Sequence, residues 1–194
     1  VRAGLRVAIC DQLEDPKHTK KIVKRGVTEL VSQGVSYNDK ILDHKKNNFL
    51  ASLHFNGRSI GIAFIDISTG EFLVAQGNES YIEKLLQNFN PNEIIYSKSF
   101  KKDFNEKYGT RFYNFTIDEW VFQEDYANET LLKHFGTVSL KGFGIHEMPD
   151  AIIAAGAALH YVSDTRQEQL KHISGISRIE EELYVWLDKF TIRN

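Results

Sequence analysis

Hydrolytic or metal-assisted chemistry needs side chains that converge, so the acids, histidines, serines and thiols decide what this sequence could catalyse. Two acids stand close together in an apolar context. Asp66 ends the run Ile60 to Ile65, and Glu71 lies just across Ser68-Thr69-Gly70. Carboxylates gathered in this way can hold a divalent ion. An aspartate before a turn can equally accept hydrogen bonds from the backbone amides that follow it, and for Asp66 we favour that turn-stabilising role over metal binding.

The other constellations are incomplete. The seven histidines, His18, His44, His54, His134, His146, His160 and His172, include no pair at the three- or four-residue spacing that puts two ligands on one helix face. His146-Glu147 has no second histidine after it. There is no GxxxxGK[ST] loop to cradle phosphates, and Gly142-Phe143-Gly144 lacks the third glycine and the preceding strand of a dinucleotide site. No GxSxG elbow presents a serine. Cys10 is the single cysteine, which excludes a disulfide framework and a thiolate metal site and suits a reducing cytosol. Inside Val7-Ala8-Ile9-Cys10 we expect it to be a buried small hydrophobe. Lys17, Lys20, Lys21, Lys24 and Arg25 form the one basic concentration. Its first four members would share a helix face, either a solvated one or one that touches a DNA backbone.

The elements that would carry these residues are legible in outline. A strand is predicted over 6–11, Glu14-Asp15-Pro16 breaks it, and a second apolar run covers 27–31. The stretch 32–48 turns polar and reads as a linker hugging a surface. Strands follow at 49–55, 59–67 and 71–75, with Asn56-Gly57 as the hairpin signal and the middle strand apolar enough to be central. The pattern then alternates: helix 79–89 stopped by Asn90-Pro91, strand 93–96, helix 100–108 ending at Gly109, and strand 111–115. Thr116 and Glu119 have capping-box spacing, with Phe115 placed to staple Trp120, so a helical tract is expected from about 117. It should break near Gln123, resume to His134 and close at Gly136. A long apolar helix covers 151–162, and its Ala154-Ala155-Gly156-Ala157-Ala158 invites close approach by a neighbour. Strand-like runs return at 176–179 and 184–187. The fold class is therefore α/β, a mixed sheet in which an antiparallel meander precedes alternating helices and strands, with helices on its faces.

Composition limits the functional classes. With 194 residues, 42% hydrophobic and 26% charged, the chain is ordinary globular material. Lysine and arginine total 24 against 26 aspartate and glutamate, a formal charge of −2, so no global attraction to nucleic acid or anionic membrane exists. No stretch reaches the roughly 20 apolar residues of a membrane span. The opening Val1, with no initiator methionine, leads us to expect a piece of a longer polypeptide.

The meander and alternating elements resemble the ribonuclease H-like layout, whose nucleases carry an aspartate inside the first strand. Here 49–55 holds no acid; Ser52 and His54 are its polar members. Several stretches together resemble the MutS mismatch-repair family. Val7 to Pro16 is similar to the tail of its mismatch-recognition domain, and Asp66 to Phe72 to the first hairpin of its connector domain. Phe135-Gly136, Leu140, Gly142-Phe143-Gly144 and Ala154-Ala155-Gly156 are similar to the connector's second half, and Leu187-Asp188, Thr191 and Arg193-Asn194 to the start of its lever and core domain.

The resemblance implies a division into 1–32 (end of the recognition domain), 33–48 (linker), 49–170 (ribonuclease H-like connector) and 171–194 (start of the lever and core). It implies a coupling module that is not itself an enzyme, holding no cofactor, while the parent is a DNA-dependent ATPase that uses ATP and Mg. The implied partners are a MutL-type protein, the parent's other domains and, through the parent, mismatched duplex DNA in the bacterial cytoplasm at the nucleoid. Part of the MutL-facing surface resembles the helix before Phe135-Gly136, which places Glu129 and Thr130 on it; a solvent-facing helix without a partner is the other reading of those two residues. The family reads mismatches with a Phe-x-Glu motif. Phe104-Asn105-Glu106 and Phe122-Gln123-Glu124 do not match its position and read as helix residues. A metal-dependent nuclease and a stand-alone DNA-binding domain are the competing hypotheses.

Overall fold

A computed structural model describes residues 7–12, 22–23, 25–32, 34, 47–57, 59–165 and 170–180, with the backbone alone for 25–31 and 165. Two sheets are present among them. The first pairs β1 (Val7–Gln12) antiparallel to β2 (Arg25–Val31). The second contains β3 (Leu50–Asn56), β4 (Ser59–Asp66), β5 (Glu71–Gly77), β6 (Glu93–Ser97), β7 (Asn114–Ile117) and β8 (Ser177–Arg178), in the order β7-β6-β3-β4-β5-β8. The meander β3–β4–β5 is antiparallel, whereas β6 and β7 extend one side in parallel and β8 adds a parallel edge beside β5.

The period-2 alternation of the strands sorts their side chains between two cores. Leu50, Ala63, Ile65, Phe72, Val74 and Ile95 face the helices α3 (Glu124–Phe135) and α4 (Pro149–Thr165). Ala51, Leu53, Ile62, Phe64, Ile94 and Tyr96 face α1 (Glu79–Phe89) and α2 (Lys101–Tyr108). Both faces being covered explains why β4 is apolar almost throughout. α1 presents Ile82, Leu85 and Leu86; the Asn78 side chain caps its start by accepting from Tyr81 N at 2.9 Å, and at the expected stop Asn90 turns left-handed with φ 41°. On α2 the Phe104 ring stacks on Tyr96 at 4.1 Å.

α4 lies against β3 and β4 and is itself covered by α3, so it is apolar all round rather than along one stripe. Two glycines permit the packing. A Cβ on Gly61 would sit 2.0 Å from the Asp150 carbonyl oxygen, and one on Gly156 would sit 2.5 Å from the Ala127 Cα. The expected close approach to the small-residue helix is therefore real, and α3 makes it.

Four expectations need correction. The last strand of the alternation is 114–117, three residues later than predicted at its start, because its parallel register on β6 pairs Ile94 with Asn114. Thr116 is consumed by that ladder opposite Tyr96, so no capping box forms; a 3-10 turn from Glu119 to Phe122 precedes α3 instead. Phe115 packs toward Tyr161, while Trp120 meets Tyr126 and His160, so the staple is absent too. Cys10 is exposed, like every residue of β1; an apolar strand is buried only if a layer covers it, and among the described residues β1 pairs with β2 alone. At the first hairpin Asn56 is the last strand residue, opposite Ser59, and Gly57 supplies the positive φ of 60°.

Candidate functional site

The most highly organised polar group sits at the start of β6. Glu93 falls on the same phase as Ile95, so the strand's alternation turns its carboxylate inward, toward α4, where it is completely buried. A buried carboxylate is costly without donors, and three are supplied. Tyr161, on α4, donates its hydroxyl to Oε1 at 2.7 Å; Gly34 donates its backbone N–H to Oε2 at 3.0 Å; and the Ser32 hydroxyl donates to the same Oε2. Ser32 and Gly34 are buried as well. They lie just beyond β2, so one acid gathers the segment leaving the two-stranded sheet, the six-stranded sheet and its central helix.

The segment after α4 is fastened at the β5–β8 side of the sheet. His134 Nε2 lies 2.8 Å from the Ile173 carbonyl oxygen, His172 Nε2 lies 2.6 Å from that of Ile67, and Ile179 N donates to Val74 O as β8 joins β5. Asp66 stands at the turn beside it. Its Oδ2 accepts from Asn48 N at 2.9 Å, and its Oδ1 accepts from Ser68 N at 2.8 Å and from the Ser68 hydroxyl at 2.6 Å. This is the turn-stabilising role predicted from sequence, with the start of β3 added.

A second polar cluster faces α4. His54 Nε2 lies 4.0 Å from Asp150 Oδ1, which also accepts from Asn56 Nδ2 at 3.0 Å. The Ser52 hydroxyl and His54 Nδ1 are buried without a hydrogen-bond partner among the described residues. Burial holds the His54 imidazole below its ordinary value of 6.5, against the opposing pull of Asp150. Burial likewise lowers His160, whose Nδ1 is 2.7 Å from the Tyr126 hydroxyl, with Asp164 opposing. Elsewhere, burial and the nearby Glu79 and Glu83 push the Tyr108 phenol up to about 12, against Arg111.

These shifts set a pH dependence. Each folded imidazole binds its proton less tightly than the unfolded chain does, so their contribution to stability is complete above pH 6.5 and is lost as pH falls below it. The urea midpoint is therefore expected to drop between pH 7.5 and 5.5, and His54→Gln to reduce that drop while His160 retains its share. An identical drop in wild type and variant would rule out the His54 contribution.

Of the residues singled out from sequence, Glu129 is exposed and Thr130 half-buried on α3. Glu129 lines a shallow groove with Asp125, Leu132, Lys133, Thr137 and Val138, which Thr130 does not share. Val138 is 97% exposed. Lys17, Lys20, Lys21 and Lys24 lie outside the described residues; Arg25 opens β2, and its side chain is likewise outside them. The two Phe-x-Glu triplets are structural: Phe104 is in the α2 core, and Phe122 is buried in the 3-10 turn, so only the first lies wholly in a helix. Among the described residues no group of three or more His, Cys, Asp or Glu could hold a metal ion, and no helix is long and apolar enough to cross a membrane. Glu93 escaped the sequence reading. Its signal was an acid on the buried phase of an apolar strand.

A mixed α/β sheet holds the chain segment before it through the inward face of β6 and the segment after it through the β8 edge. The chain belongs to the MutS family of DNA mismatch-repair proteins: residues 48–174 match the model for MutS domain II, and residues 1–40 match that for MutS domain I. Along all 194 residues it is 61% identical to the DNA mismatch repair protein MutS of Flavobacterium psychrophilum, 60% to that of Flavobacterium johnsoniae and 58% to that of Cytophaga hutchinsonii. It spans about 22–23% of the length of those relatives.

Proposed function

We propose that this chain is a non-catalytic connector module of a MutS-type mismatch-repair protein, coupling the mismatch and ATP states of its neighbours and docking a MutL-type partner. The observation that carries the reading is the fastening of both flanking segments, Ser32–Gly34 and Ile173–Ile179, to one six-stranded sheet. A relay needs a body that does not deform internally, joined to its neighbours by short-range bonds. The two buried cores of this unit supply such a body.

In this reading β3 to β7 and their helices form a ribonuclease H-like connector over 49–170, between the end of the recognition domain (1–32, with linker 33–48) and the start of the lever and core (171–194), which lends β8 to the sheet's edge. The segment holds neither nucleotide nor metal and is not an enzyme; ATP and Mg bind elsewhere in the parent, which acts on mismatched DNA in the bacterial cytoplasm. Asp66 and Asp150 are both engaged in local hydrogen bonds, which argues for structure over phosphodiester cleavage. The docking face is that of α3, where Glu129 borders the groove beside the exposed Val138.

The test is capture of a MutL-type N-terminal region by the full-length parent. Glu129→Lys is expected to weaken it about tenfold, the scale of one lost charge-assisted contact, and enlarging Thr130 should have a smaller effect because that side chain is half-buried. Unaltered capture in both variants would remove these positions from the interface.

A further inference from the structure

We infer that Glu93 is a positioning residue that ties the domain I side of the chain to the domain II sheet, so that a displacement of Ser32–Gly34 is delivered to β6 and α4 together. The carboxylate and the phenol it binds, Glu93 and Tyr161, lie within the stretch matching MutS domain II, whereas Ser32 and Gly34 lie within the stretch matching domain I. Among the described residues, the hydrogen bonds from Ser32 and Gly34 to this sheet both end on Glu93 Oε2. When the segment is seated, the carboxylate has three donors; lifting the segment leaves the Tyr161 hydroxyl and exposes the charge to water. A carboxylate cannot remain buried with a single neutral donor at little cost. Seated and lifted are thus two discrete arrangements with little between them, the property a relay requires.

Shape enforces the same seat. A Cβ on Gly34 would lie 2.9 Å from Glu93 Cβ, 3.1 Å from its Oε2 and 3.2 Å from Leu50 Cβ. Two of these neighbours are the first side-chain atoms of strand residues, which move only with the backbone, so any residue larger than glycine lifts the segment away from the acid. The hydrogen bonds and the steric fit are independent demands for one position.

Amide hydrogen exchange on this chain tests the tie, using two variants that attack it from opposite sides. Glu93→Gln replaces one acceptor oxygen with an amide that itself donates, and Gly34→Ala leaves the carboxylate intact but blocks the seat. Both are expected to speed exchange at residues 32–34 at least tenfold, the scale of one or two lost bonds to a charged acceptor, while β3, β4 and β5 keep their protection. Native protection at 32–34 in Gly34→Ala, or loss of protection spread evenly over the whole sheet in that variant, would overturn the proposal. Should Glu93→Gln not fold, Gly34→Ala carries the decision, with Ser32→Ala expected to show a smaller change in the same place.

The consequence for signalling rests on the connector reading and is measured separately in the full-length parent. There Gly34→Ala should shrink the difference in ATP hydrolysis between mismatched and matched duplex, with the DNA-free rate kept. Lost protection at 32–34 with an undiminished mismatch response would count against the connector reading and not against the tie.

Discussion

Gly61→Ala is expected to destabilise the fold by about 3 kcal/mol, the upper part of the usual range for overpacking a core. In an ordinary strand the same change would be favourable, because alanine has fewer unfolded conformations to lose; that gain is about 0.4–1 kcal/mol. Gly61 adopts no positive φ, so the backbone itself would accept alanine. The obstacle is the 2.0 Å approach of the new Cβ to the Asp150 carbonyl oxygen and 2.1 Å to its carbon. These are backbone atoms in the first turn of α4, whose N–H groups at 150 and 151 are in turn held by Gln76 Oε1 at 2.9 and 3.3 Å. No rotamer can relieve the clash; the whole helix must move off the sheet. Gly142 provides the control, since a Cβ there meets nothing within 4 Å, and Gly142→Ala should change stability by no more than about 0.5 kcal/mol. Urea unfolding of the two variants side by side decides it. Equal midpoints would mean that α4 is not seated over β4 at Gly61.

The seating of α4 also shows what the sequence could and could not reveal. The meander, the end of α1 and the closure of α3 at Gly136 follow from signals within a few residues: alternation, Asn90-Pro91, a glycine free to turn left-handed. The small-residue run of α4 announced a close neighbour without naming it, because Ala127 lies 29 positions before Gly156. At 111–117, Arg-Phe-Tyr-Asn-Phe-Thr-Ile is strand-like throughout, and only its pairing with β6 picks 114–117 from it. The Thr116 and Glu119 spacing misled for the same reason, since a ladder 20 residues away had already claimed the threonine. Apolar content misled at Cys10, because composition reports a preference for burial and not whether anything is there to cover the strand.

The candidate site divides along the same line. Asp66 could be read because two of its donors belong to Ser68, two positions on. Glu93 could not, because its donors are 59 to 68 positions away. The placement of Glu129 and Thr130 came from family resemblance, and the geometry separates them: one borders the groove on α3 and the other is turned partly inward. The groove itself has no periodic signature, since Val138 belongs to the segment after α3 rather than to the helix.

Asp66→Ala is expected to cost about 3 kcal/mol, and the three bonds it removes do not contribute equally. Ser68 is exposed, so its N–H and hydroxyl exchange the carboxylate for water and lose only the net value of a hydrogen bond, about 1 kcal/mol between them. Asn48 is 5% exposed, so water does not readily take the place of the carboxylate at its N–H, and losing a buried acceptor costs about 1–3 kcal/mol. The start of β3 should therefore loosen more than the turn, which keeps its own Gly70 N to Asp66 O bond at 2.9 Å whatever the side chain. Asp66→Asn retains one oxygen for Asn48 and should lose roughly half as much. Magnesium distinguishes this account from a metal site. Added Mg should leave the unfolding midpoints of wild type and Asp66→Ala equally unmoved, because both carboxylate oxygens already serve backbone and hydroxyl donors. Stabilisation of the wild type by Mg that disappears in the variant would make Asp66 a metal ligand and revive the nuclease reading of the first hairpin.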